Sequence, residues 1–179
     1  MKLIPWLYTA YYNYYENGVP PVRPLVLDYP EDTTARGIYD EYLLGDGLLA
    51  APVIFGQGAL RRIWLPEGGW YEYDTGAYLE GSQWIERVTE PGDIPMFVRE
   101  GTLLAMAEPE QHVGEDTCFR LQLTAYGGGT CSVTLIADDG VSNDYRSGVK
   151  KVRFLATEHG LAQEETNERY CVVGFERIE

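Results

Sequence analysis

The N-terminal stretch repeats its apolar positions with the period of an α-helix. Apolar or aromatic side chains in residues 2–17 cover most of the circumference of such a helix. Gly18 is suited to end it, and Pro20 and Pro21 forbid its continuation. No Ser, Thr, Asp or Asn precedes the pattern as a cap. The pattern predicts a buried helix that ends near Asn17, and we expect the chain to begin within that element.

Residues 47–55 form an unbroken apolar run. Its length and its flanking glycines favour a strand that is buried on both faces, as in a parallel sheet. The run therefore predicts a strand of a different kind from those that follow it.

Beyond Gly56 the chain has the pattern of short, half-polar strands separated by Gly and Pro. Strands are predicted at residues 60–65, 70–74, 84–88, 94–98 and 102–106, and then at 119–125, 130–137, 151–156 and 169–175. Spacings of about 8 to 14 residues with turn signals are typical of an antiparallel β-sandwich. The acidic stretch 108–116 indicates a linker between the two strand groups.

These patterns predict a mainly β chain in which an N-terminal helix and strand precede an antiparallel β-sandwich. We divide the chain into three regions, residues 1–55, 56–110 and 111–179. The first holds the helix and the buried strand, and the other two hold the two strand groups. The acidic linker sets the boundary near Gln111.

The chain is strongly acidic, with 14 Lys and Arg against 28 Asp and Glu and a net charge of −14. Such a charge repels phosphate backbones and anionic lipid surfaces but not a neutral ligand such as a sugar. The longest apolar run is also far too short to cross a bilayer. We therefore expect neither nucleic acid nor membrane as a partner.

The three cysteines, Cys118, Cys131 and Cys171, are widely spaced and match no CxxC pattern. An odd number cannot close a disulfide framework, so we expect buried free thiols in a reducing compartment and a cytoplasmic chain. His112 and His159 lie in polar, loop-like sequence, away from any strand–turn–helix nucleophile. No His or Cys cluster has the spacing of a metal site, and we expect no cofactor.

Six short motifs follow one another along the chain. They are Leu3-Ile-Pro-Trp-Leu-Tyr8, Val22-Arg-Pro-Leu25, Asp40-Glu-Tyr-Leu-Leu-Gly45, Leu48-Leu-Ala-Ala-Pro-Val53, Leu65-Pro-Glu-Gly-Gly-Trp-Tyr-Glu-Tyr-Asp-Thr-Gly76 and Ile94-Pro-Met-Phe-Val-Arg-Glu-Gly101. In this order and spacing they resemble the C-terminal region of a family 31 glycoside hydrolase of the α-glucosidase or α-xylosidase type. The resemblance implies that residues 1–55 are the last helix and strand of a truncated (β/α)8 barrel. It also implies that 56–110 are the proximal C-terminal β-sandwich and that 111–179 begin the distal C-terminal β domain.

The same resemblance implies a parent enzyme that hydrolyses O-glycosyl bonds by double displacement and without a cofactor. The catalytic aspartates of the family lie upstream of the final barrel helix, and nothing in this chain corresponds to them. We therefore predict no catalytic residue here and an inactive isolated chain that supports the barrel. The upstream barrel and, through the parent, a carbohydrate substrate are the implied partners.

Asp40, Glu41 and Asp46 are the candidates for substrate proximity. The resemblance places them on loops at the C-terminal ends of barrel strands, where the active sites of such barrels lie. The family usually has Gln at the position of Glu41, so this chain adds a charge there. Loop capping and solvation are the alternative role of all three.

Asp138, Asp139, Asn143 and Asp144 form an oxygen-rich stretch around Gly140. Carboxylates in a loop can bind Ca²⁺, but the twelve-residue order of an EF-hand is not met. A hairpin or Asx-turn explains the same residues, and we favour it over a metal site.

A carbohydrate-binding module is the second hypothesis. Trp64, Trp70 and Trp84 lie on predicted strands, where exposed rings would stack on the faces of sugars. Rings on a half-buried sheet more often pack in the core, so core packing remains the alternative.

The aromatic N-terminal helix predicts self-association. With the rest of a barrel absent, its side chains would expose more apolar area than a monomer usually tolerates. The residues concerned are Trp6, Leu7, Tyr8, Tyr11, Tyr12 and Tyr15.

Overall fold

The structure of the chain is a computed structural model that describes residues 2–54, 60–114, 117–139, 142, 146, 148–165 and 167–179. It divides into two compact units. The central unit is Pro20–Glu100, and the terminal unit combines Met1–Val19 with Gly101–Glu179. A helix, α1 (Ile4–Asn17), opens the terminal unit, and both units are otherwise built mainly from β-strands, as predicted.

The central unit has two antiparallel sheets that share one hydrophobic core. The larger sheet has six strands in the spatial order β1 (Val22–Pro24), β2 (Tyr42–Leu44), β3 (Leu48–Ala50), β8 (Met96–Arg99), β5 (Gly69–Glu72) and β6 (Tyr78–Glu80). The smaller sheet pairs β4 (Leu60–Leu65) with β7 (Gln83–Val88). Leu43, Leu49 and Phe97 of the larger sheet join Ile63 and Leu65 of the smaller sheet in one buried cluster. This packing confirms the predicted antiparallel β-sandwich.

Two short helical segments connect β1 to β2 in the central unit. Helix α2 (Leu25–Asp28) follows β1 directly, and a 3-10 turn covers Ala35–Gly37. Leu25 and Ala35 are fully buried and belong to the shared cluster. The connection therefore covers part of the core.

Strand β3 corrects one prediction about the apolar run 47–55. All three of its residues are buried, as expected for a strand that is covered on both faces. It is antiparallel to both neighbours, however, with Leu49 opposite Leu43 on one side and Phe97 on the other. Only residues 45–47 separate β2 from β3, and a tight turn with Gly45 at φ 63° makes adjacent strands antiparallel. The predicted parallel strand was wrong, and residue 55 lies outside the described residues.

The terminal unit contains two three-stranded sheets. One has the order β14 (Tyr170–Ile178), β10 (Phe119–Tyr126) and β9 (Leu103–Ala107), and the other has β11 (Cys131–Ala137), β12 (Lys150–Thr157) and β13 (Gly160–Gln163). Strands β10 and β14 run parallel, whereas the other pairs are antiparallel. The chain crosses to the second sheet after β10 and returns as β14, which gives these two strands the same direction.

Helix α1 ends where the sequence predicts. Gly18 takes the left-handed conformation with φ 72°, and its N–H donates to the carbonyl oxygen of Tyr14 at 2.8 Å. Leu3 occupies the N-cap without a side-chain hydrogen bond, and Pro5 lies in the first turn. A proline there removes no intrahelical hydrogen bond.

The burial predicted for α1 holds on one side only. The helix contacts β9 and β11 of its own unit and buries Trp6, Ala10 and Tyr12. Tyrosines on its other side are exposed: Tyr11 by 58%, Tyr14 by 53% and Tyr15 by 54%. A tyrosine tolerates this position because its hydroxyl remains hydrated while its ring covers the helix.

The two compact units are divided at other positions than the three predicted regions. The units meet in sequence after Val19 and after Glu100, whereas the predicted boundaries follow residues 55 and 110. The assignment of 1–55 to the end of a barrel, and of 56–110 and 111–179 to two C-terminal domains, stays a prediction. Among the described residues, no helix is long and apolar enough to cross a membrane.

Candidate functional site

Asp40 and Glu41 lie directly before β2 in the central unit, and both face Arg61 of β4. The Asp40 carboxylate contacts Arg61 Nη1 at 2.8 Å, and Arg61 Nη2 donates to the Asp40 carbonyl oxygen at 2.9 Å. Arg61 Nη2 also lies 3.8 Å from Glu41 Oε1. One guanidinium therefore serves two carboxyl groups.

Glu41 is the most deeply buried of the three predicted carboxyl residues, with no exposed side-chain surface. Its Oε1 accepts a hydrogen bond from the backbone N–H of Trp64 at 3.0 Å. Oε2 is buried and has no hydrogen-bond partner among the described residues. Burial raises the pKa of Glu41 to about 7, although the Trp64 hydrogen bond and Arg61 oppose this shift. Below about pH 7 the folded chain therefore favours a neutral carboxyl at the position where the sequence indicates an added charge.

Asp46 lies in the turn between β2 and β3, apart from the Arg61 cluster. Its side chain is 78% exposed, and its Oδ1 is 3.4 Å from Arg23 Nη2. Arg23 is itself buried and holds Asp28 with two hydrogen bonds, of 2.9 and 2.8 Å. It also donates to the Gly45 carbonyl oxygen at 2.9 Å. Asp46 is thus a peripheral member of a group that fixes the β2–β3 turn.

The three predicted carboxyl residues do not form one site. Asp40 and Glu41 come together on Arg61, whereas Asp46 belongs to the Arg23 group. An acid and a nucleophile for glycoside hydrolysis need a gap between them that is open to the sugar. Arg61 instead occupies the space beside Asp40 and Glu41, and the cluster is suited to joining β4 to the start of β2.

Trp70 is part of the core. Its side chain is fully buried, and its Nε1 donates to the Pro66 carbonyl oxygen at 2.8 Å. Arg99 lies over its ring, with 5.6 Å from Cζ to the ring centroid. Trp70 therefore has no free face for a sugar while the unit is folded, and core packing describes it.

Trp64 and Trp84 are opposite each other across β4 and β7, with ring centroids 5.4 Å apart. Trp64 is half-buried, and its Nε1 donates to Asp32 Oδ2 at 2.7 Å. Trp84 is 40% exposed, and Arg62 Cζ lies 4.8 Å from its ring centroid. Of the three predicted tryptophans, Trp84 alone combines wide exposure with a cationic neighbour.

The sequence reasoning missed the arginines. Arg23, Arg61 and Arg99 organise the polar contacts of the central unit, and none was singled out as a candidate. A signal was available, because basic residues are scarce in a chain of charge −14 and an arginine beside an apolar strand often pairs with a buried acid. Which acid it pairs with depends on residues about twenty positions away and requires the fold.

The predicted turn around Gly140 is described only in part. The Ser142 N–H donates to Asp139 Oδ1 at 3.0 Å, which is a local side-chain turn contact. Asp138 accepts a hydrogen bond from the Tyr8 hydroxyl. Gly140, Asn143 and Asp144 lie outside the described residues. Within the described part of the chain, no group of three or more His, Cys, Asp or Glu could hold a metal ion.

The cysteines differ from the predicted buried thiols. Cys131 is buried, whereas Cys118 and Cys171 are exposed. The expectation was wrong for these two because each lies beside a buried aromatic on the adjacent strands β10 and β14, where the alternation of side chains directs it outward.

Comparison with known proteins gives one family. Residues 18–104 match the family described as "Glycosyl hydrolase family 31 C-terminal domain". The chain is 35% identical to the 1,6-alpha-glucosyltransferase of Sporosarcina globispora over 151 residues, which are 82% of this chain and 12% of that protein. It is 30% identical to alpha-glucosidase 2 of Bacillus thermoamyloliquefaciens, over 88% of this chain and 20% of that protein.

A similar solved structure is the GH31 alpha-xylosidase of Xanthomonas citri. The two structures superpose with a TM-score of 0.85 at 25% sequence identity. The matched part is 99% of this chain and 20% of the alpha-xylosidase chain. The chain thus spans a fifth or less of the length of these relatives. The match extends over both compact units.

Proposed function

This chain is a C-terminal region of a family 31 glycoside hydrolase, and we propose that its role there is structural and non-catalytic. The parent enzyme would hydrolyse α-glycosidic bonds of a carbohydrate substrate by double displacement with retention, without a cofactor. The chain would buttress the catalytic barrel and so help to position loops that lie upstream. The relatives named alpha-glucosidase and alpha-xylosidase support this class of parent.

The state of the three predicted carboxyl groups carries this proposal. A retaining mechanism uses two carboxyl groups about 5 to 5.5 Å apart, one ionised to attack and one protonated to donate. Asp40 is bound by Arg61, Glu41 is buried without exposed surface, and Asp46 lies with a different arginine. These contacts support bracing of strands more than chemistry on a sugar.

The test is an assay of the 179-residue chain with p-nitrophenyl α-glucoside and α-xyloside. We expect release of nitrophenol no faster than in a protein-free blank. Asp40→Asn, Glu41→Gln and Asp46→Asn are assayed beside it. The structural role would be contradicted if the unmodified chain released nitrophenol and any of these substitutions abolished the release.

Carbohydrate binding is the second candidate, because Trp84 is 40% exposed beside Arg62. A ring flanked by a guanidinium can offer apolar contact to a sugar face and hydrogen bonds to its hydroxyls. Titration with malto- and xylo-oligosaccharides, followed by tryptophan fluorescence, tests this role. Binding should be lost in Trp84→Ala and kept in Tyr39→Ala, which removes another exposed ring of the same unit. A flat titration in the unmodified chain excludes the candidate.

We also propose that the isolated chain self-associates through α1. Of the residues predicted to expose apolar area there, Trp6 and Tyr12 are buried instead. Tyr11 and Tyr15, together with Tyr14, present an aromatic side at positions three and four apart, and each is more than half exposed. Sedimentation velocity should show concentration-dependent association that Tyr11→Ser with Tyr14→Ser reduces. Tyr39→Ser is the control for loss of an exposed tyrosine elsewhere. A monomer at all concentrations would contradict the proposal.

We also propose a cytoplasmic location for the parent, because three cysteines cannot close a disulfide framework. The exposed thiols of Cys118 and Cys171 support it, since such thiols persist in a reducing compartment. Fractionation of the source cells with an antibody to this region tests it, and recovery of the parent outside the cytoplasm would contradict it.

A further inference from the structure

Two cysteines lie at the start of the parallel strand pair β10 and β14 in the terminal unit. Cys118 immediately precedes β10, and Cys171 is the second residue of β14. The register places Phe119 opposite Tyr170 and Arg120 opposite Cys171. The Phe119 N–H donates to the Arg169 carbonyl oxygen at 2.8 Å, which extends the ladder to the residues around Cys118. The two cysteines are therefore on adjacent strands, at the same end.

Both side chains are on the solvent side of that strand pair. Phe119 and Tyr170 stack with ring centroids 6.0 Å apart, and both are buried. Side chains alternate along a strand, so Cys118 and Cys171, each next to one of these rings, face the other way. Both are exposed.

Cys171 also acts on the Cys118 thiol. Burial is the largest cause that raises the pKa of the Cys118 thiol, and interaction and hydrogen bonding with Cys171 raise it further. The charges of Arg120 and Arg169 act in the opposite direction and favour a thiolate. Arg169 is held in place by hydrogen bonds to the carbonyl oxygens of Gly114 and Thr117, at 2.9 and 3.2 Å. The pair thus has an anchored cation beside it.

We propose that Cys118 and Cys171 form a reversible intramolecular disulfide that joins β10 to β14 when the chain meets a low-molecular-weight disulfide oxidant. An odd number of cysteines does not prevent this, because the third one is separate. Cys131 is buried, and its Sγ contacts the Tyr126 and Gly127 carbonyl oxygens at 3.5 and 4.0 Å. It has no access to an oxidant in the folded chain.

The reaction is two successive thiol–disulfide exchanges. The Cys171 thiol loses its proton to solvent, and its thiolate attacks one sulfur of oxidised glutathione, whose S–S bond breaks and releases one glutathione thiolate. The Cys118 thiolate then attacks Cys171 Sγ in this mixed disulfide and releases the second glutathione. The protein loses two electrons and two protons, and the oxidant gains both as two glutathione thiols.

The bond would close a loop that contains β11, β12 and β13. Such a link restricts the unfolded chain more than the folded one, because the two ends are far apart in sequence. It would also fix the start of β14, the strand that completes its sheet. Oxidation should therefore raise the temperature at which the terminal unit unfolds.

The experiment treats the reduced full chain with excess oxidised glutathione, removes the reagent and counts thiols in denaturant. Three thiols before treatment should fall to one, with a mass loss of two hydrogens and a peptide that joins Cys118 to Cys171. The thermal midpoint should rise by roughly 5 °C or more and return after reduction. Cys118→Ser and Cys171→Ser should each gain one glutathione and show no such rise.

Three results would overturn the proposal. One is glutathione on both cysteines of the unmodified chain without a linked peptide. Another is cross-linked dimers on a non-reducing gel in place of the intramolecular product. The third is a thiol count that stays at three. Serine at either exposed position leaves the buried rings in place, so the variants report on the bond and not on folding.

Discussion

Glu41 links burial to pH at the scale of a single residue. Its pKa is about 7 in the folded chain, because burial favours the neutral carboxyl, against an ordinary value of 4.5. An acid whose pKa is raised by folding binds its proton more tightly in the folded state. The contribution of such a carboxyl group to the free energy of unfolding is complete when the pH is below its pKa in the unfolded chain. It is lost as the pH rises through the pKa of the group in the folded chain. The relevant window is therefore about pH 4.5 to 7.

Glu41→Gln should remove this dependence. The amide keeps an oxygen for the Trp64 N–H and has no proton to lose, so the Glu41 contribution to the pH dependence should be absent from the variant. Across it, the unmodified chain should lose roughly 3 kcal/mol relative to the variant. Urea unfolding of both proteins from pH 4.5 to 8 measures the difference, and parallel curves would contradict a raised pKa of Glu41 in the folded chain.

Arg61 should contribute more to the free energy of unfolding than its neighbour Arg62 on the same strand. The Arg61 side chain is 15% exposed and contacts both Asp40 and Glu41, whereas the Arg62 side chain is 61% exposed with Glu86 at 3.9 Å. Arg61→Met leaves the buried Glu41 and the partly buried Asp40 without their cation and should cost about 3 kcal/mol in unfolding free energy. Arg62→Met should cost less than about 1 kcal/mol. Equal losses in urea unfolding would contradict a bracing role for the cluster.

At the scale of elements, the turn between β6 and β7 depends on a glycine. A Cβ built on Gly81 would lie 1.9 Å from the Pro66 carbonyl oxygen and 2.6 Å from that of Gly68. Both are backbone atoms, so Gly81→Ala must displace the chain before β5 and should cost about 2 to 4 kcal/mol. Gly37 has open space around its Cβ position, and Gly37→Ala should leave the thermal midpoint within about 2 °C. A tolerated Gly81→Ala would mean that this turn moves freely.

The sequence predicts elements better than it predicts their partners. The end of α1 follows from Gly18, whose left-handed turn is a local property. The direction of β3 could not be read from its apolar run, because the run reports burial and not the orientation of the neighbouring strands. The sequence identified Asp40 and Glu41 as candidates, but it did not show that both contact Arg61, and this contact determines their role. The approach of Arg61 depends on how β4 pairs and packs, which no local pattern encodes.

At the scale of the whole molecule, the net charge of −14 makes stability depend on salt. Like charges repel one another more strongly in the compact chain than in the unfolded one, and dissolved ions screen this repulsion. The thermal midpoint should therefore rise by a few degrees, about 3 °C, between 20 and 300 mM NaCl. KCl should give the same shift, since screening does not distinguish the two cations. A midpoint that falls with salt would show that attractive ion pairs outweigh the repulsion.

The terminal unit is assembled from two stretches that flank the central one. A ribosome delivers the chain from its N-terminus, and segments can fold as they emerge. All of Pro20–Glu100 is out before the partners of α1, β9 and β11, have been made. The side of α1 that carries Trp6, Ala10 and Tyr12 therefore stays uncovered until β9 and β11 have been made. Until then this side of the helix is a transiently exposed apolar surface of the kind that chaperones bind.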